Sequence, residues 1–345
     1  MSSYKHLLVI RLSAMGDVAM TVHVLKALTT TYPKLKITVL TRAFFRPIFA
    51  EMKNVSVYEA EVKGRHKGLS GLWRLYKELR GLDIDAVADL HNVLRSNILM
   101  QFFRLSGTPF LQIDKGRNEK KRLTSLENKV FNPLQSTHQR YADVFDKLKF
   151  PISLLAENVL PKKECSSNTI SIVGKKDKKW LGIAAFAAFS GKMYPLKLME
   201  EVVQKIDNTN KYKILLFGGG EKEKELLGSW EGKFINCTNM VGRLSFEEEL
   251  ALISNLDVML SMDSGNAHLA SLYGIPTVTL WGVTHPYAGF APFGQDPQNA
   301  LLSDRNKFPL IPTSVYGNKV PNGYEKVMET IPPSVVIKKV KQLLG

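Results

Sequence analysis

Short apolar runs of strand length alternate along this chain with segments whose apolar residues recur at helical spacing. The first apolar run, at residues 6–12, predicts a buried strand that leads through a turn at 13–17 into a helix at 18–30. Strands that alternate with helices in this way predict a parallel sheet with helices on both faces. The other predicted strands of the first half are residues 36–41, 55–60, 85–91 and 110–114, and its other helices are residues 69–82, 95–105 and 137–148.

Residues 151–179 interrupt this alternation with Pro, Ser, Asn and Lys residues that follow no clear period, and we expect the linker there. The alternation then restarts, so the sequence predicts two doubly wound α/β halves of similar size. Ligands of such sheets bind beyond the carboxyl ends of the strands, and two facing halves would form a central cleft at the linker. The predicted strands of the second half are residues 180–188, 213–217, 234–238, 258–262 and 276–281, and its helices are residues 195–206, 245–255, 267–273 and 333–344, with one more after the glycines at 218–220.

The stretch at residues 258–286 is the candidate ligand site of the second half. It has the pattern of a strand, a polar turn that contains Asp263 and Gly265, a short helix, a second strand and a second polar turn. The free amides and the positive dipole at the start of a helix attract anions, so one interpretation is the phosphate seat of a nucleotide-activated donor. The other interpretation, which the pattern leaves open, is an ordinary βαβ unit of an α/β sheet.

Length and composition favour an intracellular protein of two domains. A chain of 345 residues that is 44% hydrophobic suits two domains with well-filled cores. Cys165 and Cys237 are too few for a disulfide scaffold and too far apart to suggest a metal site, so a reduced cytosol fits best. The apolar run at residues 7–10 is shorter than the roughly 7–15 residues of a signal-peptide core. No apolar run approaches the ~18 residues of a membrane span, so we expect a cytoplasmic protein.

The net charge of +15, with a pI near 9.6, predicts attraction to an anionic partner. The basic residues are clumped at positions 63–67, 115–122 and 175–179, and any one clump could equally be a solvated loop. Two clumps in the first half favour an anionic acceptor there. Neither shows the interleaved aromatic residues of a single-strand nucleic-acid binder, so nucleic acid is not expected.

The chain lacks five common sequence motifs of enzymes: the glycine-rich dinucleotide motif, the P-loop, HExxH, CxxC and GxSxG. Three single residues could still carry chemistry. Asp17, at the start of the first helix, is either a helix-terminal acid or a general base. Lys192, in a Ser-Gly-Lys turn after a strand, is either an exposed loop lysine or a point charge for a phosphate oxygen. His268, in the first turn of a predicted helix, is either a structural histidine or a functional one.

Several motifs resemble those of the family 9 glycosyltransferases, the lipopolysaccharide heptosyltransferases. Residues 263–270 (DSGNAHLA) match the family pattern D-S/T-G-P-x-H-L-A, and residues 11–18 (RLSAMGDV) resemble the family's N-terminal motif. The resemblance runs over most of the chain in the family's order. Its other elements are residues 89–96 (family DLQG..RS), 191–195 (family K-R-W-P), 242–250 (family G-x-x-S-L-x-E-L) and 281–286 (family F-G-P-T-D-P).

The resemblance implies a GT-B fold, in which two Rossmann-like doubly wound parallel-sheet domains face a central cleft. We therefore expect an N-terminal acceptor-binding domain at residues 1–165 and a C-terminal nucleotide-sugar-binding domain at residues 166–330. We expect the last segment, residues 331–345, to be a helix that packs back on the N-terminal domain.

The resemblance also implies an activity: inverting transfer of a heptose or related sugar from ADP-heptose to a lipopolysaccharide core or lipid A-type acceptor. Asp17 would act as general base on the acceptor hydroxyl, and Lys192 would hold donor phosphate. If helix amides and Lys192 neutralise the departing diphosphate, no metal is needed, so we expect neither a metal nor a cofactor beyond the nucleotide-sugar. The remaining donor-binding candidates are Glu221 at the ribose, Leu244 near the nucleobase, and Asp263, Ser264, Gly265 and His268.

For the acceptor, the resemblance implies an anionic glycolipid, which accounts for the basic clumps of the first half. Peripheral contact with the cytoplasmic face of the inner membrane would follow, because Lys and Arg are attracted to anionic lipid. The acceptor-binding candidates are Gly16, Arg65, Arg95, Arg117 and Lys121.

The sequence departs from the family patterns at several positions, and two other functions stay open. His91 and Asn92 replace Gln-Gly in the second motif, Asn266 replaces Pro, and His285 replaces an acid. These changes leave the exact sugar and nucleotide open. The alternatives are a GT-B sugar-nucleotide hydrolase or epimerase and a non-catalytic nucleotide-sugar-binding protein.

Overall fold

Two parallel β-sheets organise the chain, and the computed structural model describes residues 4–345. Contacts divide the chain into two units. The first unit extends to Lys115 and resumes at Thr137–Leu160, and the second comprises Gly116–Ser136 and Pro161–Gly345. The prediction of two α/β halves, each with a parallel sheet, is confirmed.

The sheet of the first unit has five parallel strands in the order β3-β2-β1-β4-β5. Strand order reverses beside β1, so the carboxyl ends of β1 and β4 form the switch point where ligands of such sheets bind. The strands are β1 His6–Ile10, β2 Lys36–Thr41, β3 Val55–Glu59, β4 Ala86–Asp89 and β5 Phe110–Gln112.

Helices cover the first sheet, and their buried faces explain the predicted periodicity. On α2 the buried residues Leu72, Leu75 and Leu79 join a core with Leu99 and Phe103 of α3. This packing leaves the other face of both helices to solvent. The helices of the unit are α1 Met15–Thr31, α2 Gly68–Arg80, α3 Leu94–Leu105 and α5 Thr137–Lys147, with a 3₁₀ segment at Ala43–Phe49.

The sheet of the second unit has six parallel strands in the order β11-β10-β9-β6-β7-β8. Here the order reverses between β6 and β9, which places a second switch point at their carboxyl ends. Central strands are buried on both faces, which is why they are continuous apolar runs in the sequence. The strands are β6 Lys179–Ala184, β7 Tyr212–Phe217, β8 Cys237–Asn239, β9 Val258–Met262, β10 Thr277–Trp281 and β11 Ala300–Leu302.

The helices of the second unit include two that the sequence analysis did not predict, α4 and α6. The helix α4 lies in a basic clump, and α6 lies inside the expected linker. The helices are α4 Arg117–Leu123, α6 Ser167–Val173, α7 Leu196–Asp207, α8 Glu221–Lys233, α9 Phe246–Ser254, α10 Gly265–Ser271 and α11 Pro333–Leu344, with 3₁₀ turns at Ser190–Lys192, Pro286–Ala288, Pro297–Asn299 and Val327–Thr330.

The unit boundaries differ from the expected division at residues 165 and 330. Gly116–Ser136 belongs to the second unit although it precedes α5 of the first, and the second unit resumes at Pro161. The last helix also differs from the expectation, because it packs on α7 and β9 of the second unit rather than back on the first. Its residues Val336, Val340 and Leu344 are fully buried in that core.

The described residues 4–345 contain no helix that is both long enough and apolar enough to cross a membrane.

Candidate functional site

Asp17 lies in the first turn of α1, at the switch point of the first sheet. Its Oδ2 is 2.5 Å from Nη2 of Arg11 and accepts a hydrogen bond from the backbone N–H of Ala14 at 3.3 Å. Its Oδ1 makes no hydrogen bond with any described residue. The side chain of Asp17 is 27% exposed whereas that of Arg11 is 7% exposed. The carboxylate therefore caps the helix with one oxygen and presents the other to solvent.

Arg11 anchors this carboxylate to the end of β4. Its Nη1 donates a hydrogen bond to the carbonyl oxygen of Leu90 at 2.6 Å, and its guanidinium lies 5.9 Å from the ring centre of Tyr141. The hydroxyl of Tyr141 in turn donates to the carbonyl oxygen of Asp17 at 3.3 Å. Sequence reasoning assigned no role to Arg11. Its position directly after an apolar strand, where a charged residue must be paired if it is buried, was the available signal.

Asp89 shapes the loop at the carboxyl end of β4. It is fully buried, and its Oδ1 accepts hydrogen bonds from the backbone N–H groups of His91 at 2.9 Å and Asn92 at 3.0 Å. Its Oδ2 accepts from Nε2 of Gln112 at 2.8 Å. Local side-chain bonds of this kind fix the backbone of a turn, so Asp89 sets the position of His91.

His91 is a buried, neutral histidine at this switch point. Burial, together with the charges of Arg11 and Lys115, lowers the pKa of His91 to about 3. The residue is 8% exposed, and its Nδ1 has no hydrogen-bond partner among residues 4–345. The ring can therefore offer a neutral hydrogen-bonding nitrogen near Asp17, a feature that sequence reasoning recorded only as a departure from the family motif.

The structure divides the predicted acceptor-binding residues between the two units. Gly16 directly precedes Asp17 in the first turn of α1, and Arg95 is exposed in the first turn of α3. Arg65 is also in the first unit, but it is ion-paired with Glu61 at 2.8 Å and with Glu78 at 3.4 Å. The remaining two candidates, Arg117 and Lys121, are exposed on α4 of the second unit.

Lys192 and Asp263 form an ion pair at the switch point of the second sheet. Lys192 ends the 3₁₀ turn after β6, Asp263 directly follows β9, and Nζ of the lysine is 3.3 Å from Oδ2 of the aspartate. The hydroxyl of Thr284 donates to the same Oδ2 at 2.9 Å. The side chains of Lys192 and Asp263 are 15% and 9% exposed. This places a largely buried ammonium where a ligand of the sheet would bind, and the interpretation of Lys192 as a freely exposed loop lysine is not supported.

Glycines permit the close packing that holds Lys192 in place. The backbone N–H of Val283 donates to the carbonyl oxygen of Gly191 at 2.9 Å. Gly317 has a φ of +82°, and a Cβ there would lie 2.2 Å from Cγ of Lys192. Any side chain at position 317 would therefore displace the lysine. Sequence reasoning missed both Thr284 and Gly317, because neither lies near Lys192 in the chain.

The short helix α10 follows Asp263 and starts earlier than its pattern predicted, at Gly265. Ser264 is its N-terminal cap residue in extended conformation, and its hydroxyl is 3.0 Å from that of Ser261. His268 lies in α10 with only 6% of the residue exposed. Asp263, Ser264, Gly265 and His268 thus lie in the connection from β9 into α10.

The two other predicted donor-binding residues lie on different connections of the same unit. Glu221 is the first residue of α8, and its side chain is 84% exposed, with Nζ of Lys224 3.9 Å away. Glu223, by contrast, accepts a hydrogen bond from the backbone N–H of Gly219 at 2.7 Å and so closes the glycine turn after β7. Leu244 is partly buried in the turn that precedes α9.

Within residues 4–345, no group of three or more His, Cys, Asp and Glu side chains is arranged to hold a metal ion.

The family model and the similar proteins found by sequence comparison all indicate the same family. A sequence model described as glycosyltransferase family 9 (heptosyltransferase) matches residues 72–310. The lipopolysaccharide core heptosyltransferase OpsX of Haemophilus influenzae is 23% identical over 288 residues, which cover 82% of this chain and 80% of that protein. The lipooligosaccharide heptosyltransferase 2 of the same species is 25% identical and is matched over 99% of both chains.

Solved structures resemble the whole chain. A family 9 glycosyltransferase from Veillonella parvula has a TM-score of 0.75 at 20% identity, with 99% of this chain and 97% of that chain covered. The Escherichia coli ADP-heptose lipopolysaccharide heptosyltransferase II has a TM-score of 0.67 at 21% identity, with 98% of each chain covered. The E. coli heptosyltransferase WaaC, solved with ADP, has a TM-score of 0.67 at 17% identity, with 98% of this chain and 99% of that chain covered. The predicted GT-B class of fold is confirmed.

Proposed function

This chain belongs to glycosyltransferase family 9 (heptosyltransferase), and on that premise we propose that it transfers a heptose from ADP-heptose, with inversion, to a lipopolysaccharide core or lipid A-type acceptor. The chain is a glycosyltransferase, and its relatives bear the names of heptosyltransferases. The donor is proposed from the E. coli relatives, one of which is described as an ADP-heptose lipopolysaccharide heptosyltransferase and another of which was solved with ADP.

One observation carries the proposed mechanism: the carboxylate of Asp17 is held by Arg11 through Oδ2 and leaves Oδ1 open at a switch point. A general base must be ionised and within hydrogen-bond reach of the proton that it removes. The ion pair with Arg11 fixes the orientation of the carboxylate. Oδ1 is then the atom that would accept the proton of the acceptor hydroxyl.

In the proposed reaction the acceptor oxygen attacks the anomeric carbon of the heptose from the face opposite the diphosphate. Its proton passes to Oδ1 of Asp17 as the new C–O bond forms. The bond from the anomeric carbon to the diphosphate oxygen breaks, ADP leaves with the electron pair, and the configuration at that carbon is inverted. Tight positioning of hydroxyl and carboxylate supplies much of the rate enhancement in such steps.

Lys192 is proposed to hold the diphosphate of the donor. Its ammonium is paired with Asp263 in the structure, so a bound diphosphate would compete with that carboxylate for the lysine. Because Thr284 also binds Oδ2 of Asp263, the carboxylate keeps a partner when the lysine turns to phosphate. Charge neutralisation of a leaving diphosphate by a positioned lysine is a common part of transfer chemistry.

For the acceptor we propose an anionic glycolipid at the first unit, with Gly16 and Arg95 beside the site of Asp17. Such an acceptor places the enzyme in the cytoplasm, in peripheral contact with the cytoplasmic face of the inner membrane. Arg65 already neutralises Glu61 and Glu78, so it is the weaker candidate. Arg117 and Lys121 would bind acceptor only from the second unit.

The donor assignment is tested by the thermal stability of the purified chain with ADP, UDP, GDP and CDP. A ligand that binds only the native state raises its melting temperature. We expect a shift with ADP that is lost in Lys192→Met and retained in Lys197→Met, since Lys197 is exposed on α7. A shift with UDP or GDP instead would overturn the ADP-heptose assignment.

The catalytic assignment is tested by Asp17→Asn with ADP-heptose and a heptose-deficient lipopolysaccharide. We expect transfer to fall by about 10²–10⁴-fold, the usual contribution of a general base, while ADP binding is unchanged. Transfer at the wild-type rate would remove Asp17 from the mechanism. Release of free heptose without acceptor would favour a hydrolase, and ADP-heptose binding without any turnover would favour a non-catalytic binding protein.

A further inference from the structure

The outer face of α2 and α3 carries large apolar side chains in contact with water. On α2, Leu69 is 64% and Trp73 is 43% exposed, and these two residues are one helical turn apart. On α3, Leu94 is 76% and Leu105 is 86% exposed. The inner faces of both helices are filled by the core of the first unit, so these residues are not needed to cover the sheet.

The two rows of apolar side chains join into one surface. The ring of Trp73 packs edge-on against that of Phe102 on α3, with the ring centres 5.0 Å apart. Along α3, the apolar residues Leu94, Ile98, Phe102 and Leu105 follow one another at intervals of three or four positions, so they lie on the same side of the helix. A contiguous exposed apolar patch on a water-soluble fold marks an interaction site. We call this face the α2–α3 surface.

Basic residues surround this surface and almost no acidic residue opposes them. The exposed positions of α2 include Arg74, Lys77 and Arg80, and the ammonium of Lys77 lies 5.5 Å from the ring centre of Trp73. The helix α3 adds Arg104 and has no acidic residue. The one acid on either helix is Glu78, whose carboxylate accepts hydrogen bonds from the hydroxyl of Tyr58 at 2.5 Å and from Nε2 of His66 at 3.0 Å.

The α2–α3 surface also starts at the edge of the sheet where Asp17 lies. Both helices follow a parallel strand, so their first turns, with Leu69 and Leu94, lie at the carboxyl edge of the first sheet. The first turn of α1, which carries Asp17, lies at the same edge. The end of the α2–α3 surface that carries Leu69 and Leu94 therefore lies along the same sheet edge as the proposed base.

We propose that the α2–α3 surface docks the first unit on an anionic lipid bilayer, with Trp73 and the exposed leucines inserted among the headgroups and the flanking lysine and arginines on lipid phosphates. Interfacial helices that combine Trp and Leu with a Lys- and Arg-rich border bind anionic membranes in this way. The inference rests on the proposed function, because an enzyme for a lipid-borne acceptor must meet that acceptor at a membrane.

Charge argues against the two other occupants of such a surface. A second copy of the chain would bring the same basic border against itself, and like charges at a contact oppose association. An apolar protein partner would leave Arg74, Lys77, Arg80 and Arg104 without counter-charges at its rim. A bilayer supplies both the apolar depth and the phosphates, and the long stems of Lys and Arg can lie along it.

The test uses Trp73 as its own reporter. Of the four tryptophans, Trp180, Trp230 and Trp281 are at most 2% exposed, so Trp73 dominates any change in emission or acrylamide quenching. Titration with vesicles of phosphatidylglycerol and phosphatidylethanolamine is expected to shift the emission to the blue and to protect it from acrylamide. Phosphatidylcholine vesicles are expected to do neither, and salt is expected to weaken the effect.

Paired variants distinguish membrane binding through the α2–α3 surface from a general effect of the protein's net positive charge. Lys77→Glu with Arg80→Glu is expected to lower the partition coefficient to anionic vesicles at least about tenfold. The matched control, Lys205→Glu with Lys211→Glu, reverses two exposed lysines of the second unit and is expected to change it less than about twofold. Leu69→Ser with Leu105→Ser is expected to reduce partition while leaving transfer to a delipidated acceptor unchanged.

Three results would overturn the proposal. The first is no change of Trp73 emission with anionic vesicles, and the second is an equal loss of partition in the control pair. The third is a blue shift that depends on protein concentration in the absence of vesicles, which would indicate self-association. Vesicle binding is measured without donor or acceptor. Its failure is therefore distinct from failure of the proposed transferase activity, which would show as absent ADP binding or absent transfer to the delipidated acceptor.

Discussion

Asp17 has two tasks that a single substitution would disturb together. Its carboxylate is the proposed base, and it is also the counter-ion of Arg11, whose side chain is 7% exposed. Removing one partner of a largely buried ion pair leaves the other charge uncompensated, which destabilises a protein more than the pair stabilised it. Loss of activity in an Asp17 variant is therefore interpretable only when the stability of the variant is known.

A double-mutant cycle on Asp17 and Arg11 separates these tasks. Asp17→Asn alone is expected to lower the free energy of unfolding by about 2 kcal/mol, because the guanidinium of Arg11 loses its charged partner. Asp17→Asn combined with Arg11→Met is expected to recover part of that loss, with a coupling of about 1–2 kcal/mol. Urea denaturation of the four proteins measures the cycle.

Catalysis responds differently in the same cycle. We expect no recovery of transfer in the double variant, since Oδ1 of the carboxylate is absent from it. Recovery of transfer together with stability would show that Asp17 acts on activity only through folding, and would contradict its role as base.

At the scale of elements, α9 combines a local signal that sequence patterns capture with a burial that they do not. The backbone N–H of Glu248 donates to the hydroxyl of Ser245 at 3.2 Å, and that of Ser245 donates to Glu248 at 3.0 Å, which is a capping box of the Ser-x-x-Glu type. Glu248 also accepts a hydrogen bond from Ser166, next to α6, at 2.7 Å. The neighbouring Glu249 is partly buried, and burial raises its pKa to about 7.

The raised pKa of Glu249 predicts a pH-dependent cost to stability. The folded state holds the proton of Glu249 up to about pH 7, whereas the unfolded state releases it near pH 4.5. Burial of Glu249 therefore costs no stability below about pH 4.5, where the carboxyl is protonated in both states. The cost grows as the pH rises from about 4.5 to about 7, because the unfolded state is then favoured by ionisation. Glu249→Gln is expected to raise the free energy of unfolding by about 2 kcal/mol at pH 8 and to change it little at pH 5.

Unfolding at the two pH values, compared with wild type, checks this prediction. Glu247→Gln is the matched control, because Glu247 lies on the same helix with a side chain that is 66% exposed. Equal effects of Glu249→Gln at pH 5 and pH 8 would mean that Glu249 does not change its charge in this range.

At the scale of the whole molecule, the excursion Gly116–Ser136 joins the second unit through an aromatic cluster. The guanidinium of Arg305 lies 3.4 Å from the ring centre of Phe131, and the rings of Tyr287 and His285 lie 4.8 Å and 5.1 Å from it. Burial and the charge of Arg305 lower the pKa of His285 to about 4, so the ring is neutral in this cluster. These side chains also line a cavity of about 520 Å³ beside β10 and β11.

Removing the ring of Phe131 tests which unit the excursion stabilises. Phe131→Ala is expected to destabilise the protein by about 2 kcal/mol, below the 3–5 kcal/mol of a fully buried Phe because the residue is partly exposed. Hydrogen exchange should increase at residues 116–136 and 285–305 and stay unchanged in β1 to β5. Faster exchange confined to the first unit would contradict the assignment of the excursion.

Most strands and helices of this fold follow from local patterns in the amino-acid sequence. The observed bounds of β2, β9 and α11 coincide with the predicted residues 36–41, 258–262 and 333–344. These elements are decided locally, because a strand buried on both faces must be a continuous apolar run and an amphipathic helix must repeat its apolar residues every three to four positions. Repeated strand–helix alternation then left a doubly wound parallel sheet as the natural architecture.

Long-range contacts, by contrast, set which polar groups meet and where the chain divides into units. Lys192 pairs with Asp263, and Arg11 donates to the carbonyl oxygen of Leu90, because reversals of strand order bring the carboxyl ends of non-consecutive strands together. Periodicity shows which face of an element is buried, but it does not show against what. The identity of a partner is set by contacts between residues far apart in the chain, and the assignment of Gly116–Ser136 and α11 to the second unit depends on such contacts.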